Sequence, residues 1–127
     1  LKCDKQIKLV GYIPEEEIRN VIIASDLFIL PSRKLEGFGL VILESMACGT
    51  PVLVSPYGGQ KEIIEKYDNT LILDDIRPGT IALKILDIIE GKKLTSKFRN
   101  DTINFVNSNF SWKKHATDYE KIYAKYV

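Results

Sequence analysis

Cysteine is scarce in this chain, with only Cys3 and Cys48 among 127 residues. Two are too few for a disulfide scaffold, and Cys48 stands in an apolar segment where a reduced thiol is the ordinary expectation. A reducing, cytoplasmic setting is the default. Charge of one sign is equally lacking. Eighteen Lys and Arg against seventeen Asp and Glu leave a formal charge of +1, so no strong field marks the chain for nucleic acid or an anionic membrane. No apolar run approaches the roughly 18 residues of a membrane span, and the opening Leu-Lys-Cys-Asp-Lys lacks the apolar core of a signal peptide. Repeats, low-complexity tracts and linker-like stretches are missing too. The expectation is a single soluble unit over residues 1–127, at most peripheral to a membrane. Its first residue, Leu rather than Met, points to a trimmed or incomplete chain.

What is present is enough to build a core: 45% of residues are hydrophobic and 28% charged. The first half alternates short apolar runs with amphipathic segments, the βαβα pattern of a parallel sheet covered by helices. Ile7 to Ile13 reads as a strand ending at Pro14. Glu15, Glu16 and Glu17 place negative charge in a first helical turn, and Ile18, Val21, Ile22 and Ser25 follow at helical spacing. Leu27 to Leu30 is a continuous apolar run, expected as a strand buried on both faces. After a polar loop, Gly37-Phe38-Gly39 opens a helix through Ala47, with Gly49 as its left-handed stop and Pro51 beyond. Pro51 to Val54 reads as the next short strand, Gln60 to Lys66 as a short helix, and Leu71 to Leu73 as a last strand. From there the chain is helical. Ile81, Ile85, Ile88 and Ile89 form a stripe ending at Gly91, and Leu94 to Phe110 and Trp112 to Tyr126 read as two more helices.

The helix after Gly39 is anomalous, because Leu40, Val41, Ile42, Leu43, Met46, Ala47 and Cys48 surround a single charge, Glu44. A helix apolar nearly all round is expected to be buried. A carboxylate there must meet a basic residue or a ligand with donors, and the residues alone do not choose between them. Glu36 precedes Glu44 by eight residues, about 12 Å at helical rise. Between them lies a helix N-terminus whose free N–H groups, reached past Gly37 and Gly39, suit an anion such as phosphate. The order carboxylate, anion site, carboxylate matches a nucleoside diphosphate sugar: sugar hydroxyls, diphosphate, ribose hydroxyls. The plainer alternative makes Glu36 a solvated loop residue and the glycines a tight turn.

Glu36-Gly-Phe-Gly-Leu-Val-Ile-Leu-Glu44 resembles the Glu-x7-Glu signature of retaining GT-B glycosyltransferases of group 1, family 4. Val10 to Pro14, Ala24 to Phe28, Leu30 to Ser32, Glu44 to Val52 and Gly58 to Glu62 follow in the family's order, and Phe110-Ser111-Trp112 resembles the start of its terminal helix. The resemblance covers nearly the whole chain, as the latter part of a C-terminal donor-binding domain: a Rossmann-like α/β parallel sheet flanked by helices, with a helical C-terminal region. It implies that the acceptor domain, the first two strands and the diphosphate-binding Arg and Lys are absent. In the doubly wound order 3-2-1-4-5-6 the Ile7 strand would be third and the Leu27 strand fourth, with the absent pair between them. The expected result is a gap that upstream residues, a partner or rearranged pairing would fill. The loop from Pro31 to Glu36 is one residue longer than the commonest family spacing.

By motif, the resemblance implies that Glu36 contacts hydroxyls of the transferred sugar and Glu44 the ribose. Gly37, Phe38, Gly39 and Leu40 would face the diphosphate and sugar, and Gly11, Tyr12 and Ile13 would lie beside the base. It further implies transfer of a hexose, with retention, from a nucleotide diphosphate sugar to a saccharide or lipid-linked acceptor, as in polysaccharide biosynthesis. No cofactor and no metal is implied, and the chain contains no Asp-x-Asp. The expected location is the cytoplasm, including the inner membrane face. The rival readings are a GT-B-fold nucleotide-sugar epimerase and a non-catalytic binding or scaffolding module. Other candidates have plainer roles: His115 at a helix surface, Asp74-Asp75 as a turn or cap rather than a cation site, Glu62 as a local cap or pair, and Lys113, Lys114, Lys121 and Lys125 as a solvated face rather than a lipid contact.

Overall fold

The computed structural model describes residues 5–33, 37–91 and 94–126. At its centre lies strand β2 (Val52–Val54), whose three apolar side chains are wholly buried. Each contributes about 1.5–3 kcal/mol by leaving water. Strand β1 (Phe28–Leu30) runs parallel beside it, with Phe28 opposite Val52, Ile29 opposite Leu53 and Leu30 opposite Val54. Parallel neighbours need a crossover, and helix α2 (Leu40–Ala47) supplies it. On the other side Val54 makes one parallel bridge to Ile72.

Helices flank this sheet. Helix α1 (Glu15–Ala24) precedes β1, α3 (Gly59–Glu65) and a 3-10 turn (Asn69–Leu71) follow β2, and α4 (Pro78–Glu90), α5 (Ser96–Asn109) and α6 (Trp112–Tyr123) complete the chain. Their starts follow local chemistry. Pro78 occupies the first turn of α4, where its missing N–H costs nothing. Thr95 Oγ1 accepts from the Phe98 N–H at 3.2 Å to cap α5, and Ser111 Oγ accepts from Lys114 N–H at 3.2 Å to cap α6. The acidic first turn of α1 complements the helix dipole. The core joins Ile42 and Met46 of α2 to β2, Ile63 and Ile64 of α3, Leu71, Leu73, Ile88 of α4 and Val106 of α5. The fold is therefore α/β, a small parallel sheet flanked by helices with a helical C-terminal region. Among the described residues no helix is long and apolar enough to cross a membrane.

Four expectations are corrected. Residues 7–13 form no strand: Leu9 is 94% exposed, with Ile7, Val10 and Tyr12 also open to solvent. A strand exists through pairing, and no described strand lies beside this segment; it does not pair with β1 either. Phe28, Ile29 and Leu30 are half-buried rather than covered on both faces. Leu71 belongs to the 3-10 turn, leaving Ile72 a bridge in place of a strand. Helix α2 is not buried all round: Ile42, Leu43, Ser45 and Met46 turn inward, whereas Leu40 is 65% exposed and Glu44 and Ala47 are exposed. Its composition is more apolar than its surroundings because one flank is uncovered.

Candidate functional site

Helix α2 begins at Gly39, whose backbone takes the left-handed φ of 75° and which has no side chain to cap the helix. The first N–H groups of an α-helix have no partner within it, and they carry the positive end of its dipole. This terminus is held from behind by the glycines that open α3. The Gly59 N–H donates to the Gly37 carbonyl at 3.1 Å, and the buried Gln60 lies against Gly39. Gln60 is itself fixed by its side-chain amide, which donates to the Ser55 hydroxyl at the end of β2. The result is a helix end without a side-chain cap, held beside the residues that follow β2, a setting that favours an anion.

Further along α2, a cleft of about 610 Å³ between α1 and α2 is lined by Tyr12, Ile13, Glu15, Ile18, Arg19, Ile22, Glu44 and Cys48, the last being the C-cap of α2. Helix α1 is tied to the turn after α2 by Thr50, whose hydroxyl donates to the Ile22 carbonyl at 2.7 Å. Glu44 stands on the exposed face of α2 and makes no ion pair among the described residues. An exposed carboxylate needs no internal base, so Glu44 is not the buried charge its neighbours in sequence suggest. Glu44 lines the cleft with its carboxylate exposed to solvent.

Tyr12, Ile13 and Glu44 thus meet in one cleft, although they are far apart in sequence. Phe38 and Leu40 instead line a second groove of about 340 Å³, together with Leu43, Phe110 and Trp112. Only their backbone remains at the helix terminus. Gly37 and Gly39 line neither depression, and Gly11, with a positive φ of 66°, leads into Tyr12. Glu36 lies outside the described residues, as does Cys3. Glu15, Ile18, Arg19 and Ile22 escape a reading based on motif, although their i, i+3, i+4, i+7 spacing on one helical face was a usable signal.

The remaining candidates have local roles. Asp75 accepts from the Arg77 backbone N–H at 2.8 Å and from its guanidinium at 2.6 and 2.9 Å. This pairing with Arg77 holds the Asp75 carboxyl well below the usual carboxylate range. No cluster of metal-ligating side chains occurs among the described residues. The His115 ring stacks 4.7 Å from that of Tyr119 and 5.8 Å from that of Trp112 on exposed α6. Lys114 and Lys121 both pair with Asp118. Cys48 is a free, half-buried thiol at the cleft floor, and Glu62 is exposed in the first turn of α3.

Residues 1–105 match the family described as glycosyl transferases group 1. An uncharacterized glycosyltransferase of Methanocaldococcus jannaschii is 32% identical over 121 residues, covering 95% of this chain and 31% of the relative. The D-inositol 3-phosphate glycosyltransferase of Corynebacterium efficiens is 30% identical over 125 residues, covering 98% of this chain and 29% of the relative. The N-acetyl-alpha-D-glucosaminyl L-malate synthase of Bacillus anthracis is 29% identical over 109 residues, covering 86% and 28%. The chain spans about a third of the length of these relatives.

Proposed function

The chain belongs to the glycosyl transferases group 1 family, and on that premise we propose that it is the latter part of the donor-binding domain of a retaining GT-B enzyme of family 4. That enzyme transfers a hexose from a nucleotide diphosphate sugar to a saccharide or lipid-linked acceptor. The observation that carries the reading is the single cleft uniting Tyr12, Ile13 and Glu44, with Glu44 one helical turn along from the uncapped start of α2. Its volume of about 610 Å³ suits a nucleoside. The base lies beside Tyr12 and Ile13, Glu44 accepts from the ribose hydroxyls, and the N–H groups around Phe38, Gly39 and Leu40 hold the diphosphate. Glu36 acts on the transferred sugar.

Chemistry follows from this arrangement. As the glycosidic bond to the diphosphate breaks, negative charge grows on the leaving oxygens. Fixed donors and the positive helix end stabilise it without a metal and without reorganising. The acceptor attacks from the face the diphosphate leaves, within an ion pair, so the anomeric configuration is retained without a protein nucleophile. No cofactor takes part. The acceptor domain and two further strands of the sheet belong to the remainder of the protein. The exposed apolar residues Ile7, Leu9 and Val10 and the half-buried β1 support that division, as does the length of the relatives.

The named activities among the relatives are a glycosyltransferase and a synthase, which favours transfer over epimerisation. The test is a screen of the full-length protein against a panel of nucleotide sugars, with and without a chelator. Slow release of nucleoside diphosphate from one donor, unchanged by chelation, is expected. Interconversion of the sugar without release marks an epimerase, and no turnover or binding marks a scaffold.

A further inference from the structure

Two charged side chains of the Glu44 cleft, Glu15 and Arg19, have no task in the donor reading. They stand one helical turn apart on α1, with Cβ atoms about 5–6 Å from each other. Spacing would let them pair, yet no ion pair joins them among the described residues, and both are exposed. Around them the cleft wall is apolar, formed by Tyr12, Ile13, Ile18 and Ile22. A flat ring seated on that wall beside residues 12 and 13 would present its edge to an acceptor-only carboxylate and a donor-only guanidinium.

Resting on the donor reading above, we propose that Glu15 and Arg19 select guanine, so that the donor is a guanosine diphosphate sugar. Guanine sets two donors side by side, N1–H and the N2 amino group, which match the two oxygens of a carboxylate. Its O6 and N7 are acceptors that match a guanidinium in a bidentate pair. Uracil offers a single imide N–H flanked by two carbonyl oxygens, one of which would face the Glu15 carboxylate. Adenine and cytosine offer one amino group next to a ring acceptor, with the same conflict. Selection thus rests on the repulsion of wrong edges as much as on the attraction of the right one.

The test is calorimetric titration of the full-length protein with the diphosphates of guanosine, uridine, adenosine and cytidine, repeated with Glu15→Gln and Arg19→Gln. Guanosine diphosphate should bind at least about tenfold tighter than the others. Each substitution should weaken it about tenfold or more, the scale of a hydrogen bond to a charged group, while uridine diphosphate shifts by less than about twofold. Thermal melts check that both variants fold. Equal or tighter binding of another nucleotide, or guanosine diphosphate affinity that survives both substitutions, overturns the guanine assignment and leaves the donor reading standing. Failure of all four to bind overturns both.

Discussion

Gly37 and Gly59 touch backbone to backbone: the Gly59 N–H donates to the Gly37 carbonyl at 3.1 Å, and a Cβ on Gly59 would collide with that same oxygen. This contact fixes the loop leading into α2 against the start of α3, and with it the position of the uncapped helix end.

Gly59→Ala should therefore destabilise the protein by about 1–3 kcal/mol, the cost of forcing volume into a packed site. Gly37→Ala should change stability by less than about 0.5 kcal/mol, because nothing lies within 4 Å of a Cβ there. Denaturant midpoints of the full-length variants make the comparison. Equal losses would show that the contact does not hold the loop.

Glu44→Gln should weaken nucleoside diphosphate binding by about 1.5–3 kcal/mol, the range for a hydrogen bond to a charged group. Stability should be unchanged, since Glu44 is exposed and has no ion pair to lose among the described residues. Titration calorimetry beside a thermal melt separates the two. A fall in stability with unchanged affinity would make Glu44 a structural residue.

For Glu36 the expected loss is in turnover. If its bonds to the sugar strengthen as charge develops at the anomeric carbon, Glu36→Ala in the full-length enzyme should lower kcat and kcat/KM together by about 10²-fold or more. Affinity for the sugar-free nucleoside diphosphate should stay constant. Equal losses in rate and affinity would put Glu36 at the nucleotide instead.

Asp75 ties the turn before α4 to Arg77, whose side-chain and backbone donors, helped by the Thr80 hydroxyl, hold its carboxyl low. A depressed carboxylate stabilises the fold at pH values above its unfolded pKa of about 3.9. That contribution fades as pH falls below about 3.9 and through the folded value. In Arg77→Ala, the Asp75 titration followed by carboxyl NMR should move up towards the ordinary range. An unmoved midpoint would assign the effect to the Arg77 backbone N–H and the Thr80 hydroxyl instead.

Tyr67 offers an alkaline counterpart. Its hydroxyl lies 2.8 Å from Thr102 Oγ1, and the Thr102 proton is directed to the Phe98 carbonyl at 2.8 Å, which makes Tyr67 the donor. Burial raises its pKa above the model-peptide value of 10.0. The folded state keeps this proton longer than the unfolded chain, so its contribution is complete below about pH 10 and is lost as pH rises through the folded value. Tyr67→Phe should cost about 0.5–1.5 kcal/mol near neutrality and flatten the alkaline loss, as read from denaturant melts between pH 7 and 11. An unaltered alkaline slope would assign that loss to other groups.

Local chemistry determined much of this protein. Periodicity and caps put helices at Glu15–Ala24, Leu40–Ala47, Pro78–Glu90, Ser96–Asn109 and Trp112–Tyr123 close to where the sequence alone places them, since helical hydrogen bonds and caps are made within a few residues. The run Val52–Val54 was equally legible as part of a strand, though not its complete burial. Pairing and coverage were not legible, because both depend on what lies alongside. Residues 7–13 have a strand's composition and no strand, as no described neighbour supplies the other half of a ladder. Helix α2 has the composition of a buried helix and an open face, because burial is set by neighbours. The sequence by itself determined that Glu44 is the one charge on an apolar helix. Only the tertiary structure decided that this charge lines a cleft with Tyr12, Ile13, Glu15 and Arg19, because the packing of α1 against α2 brings together side chains that no local pattern relates.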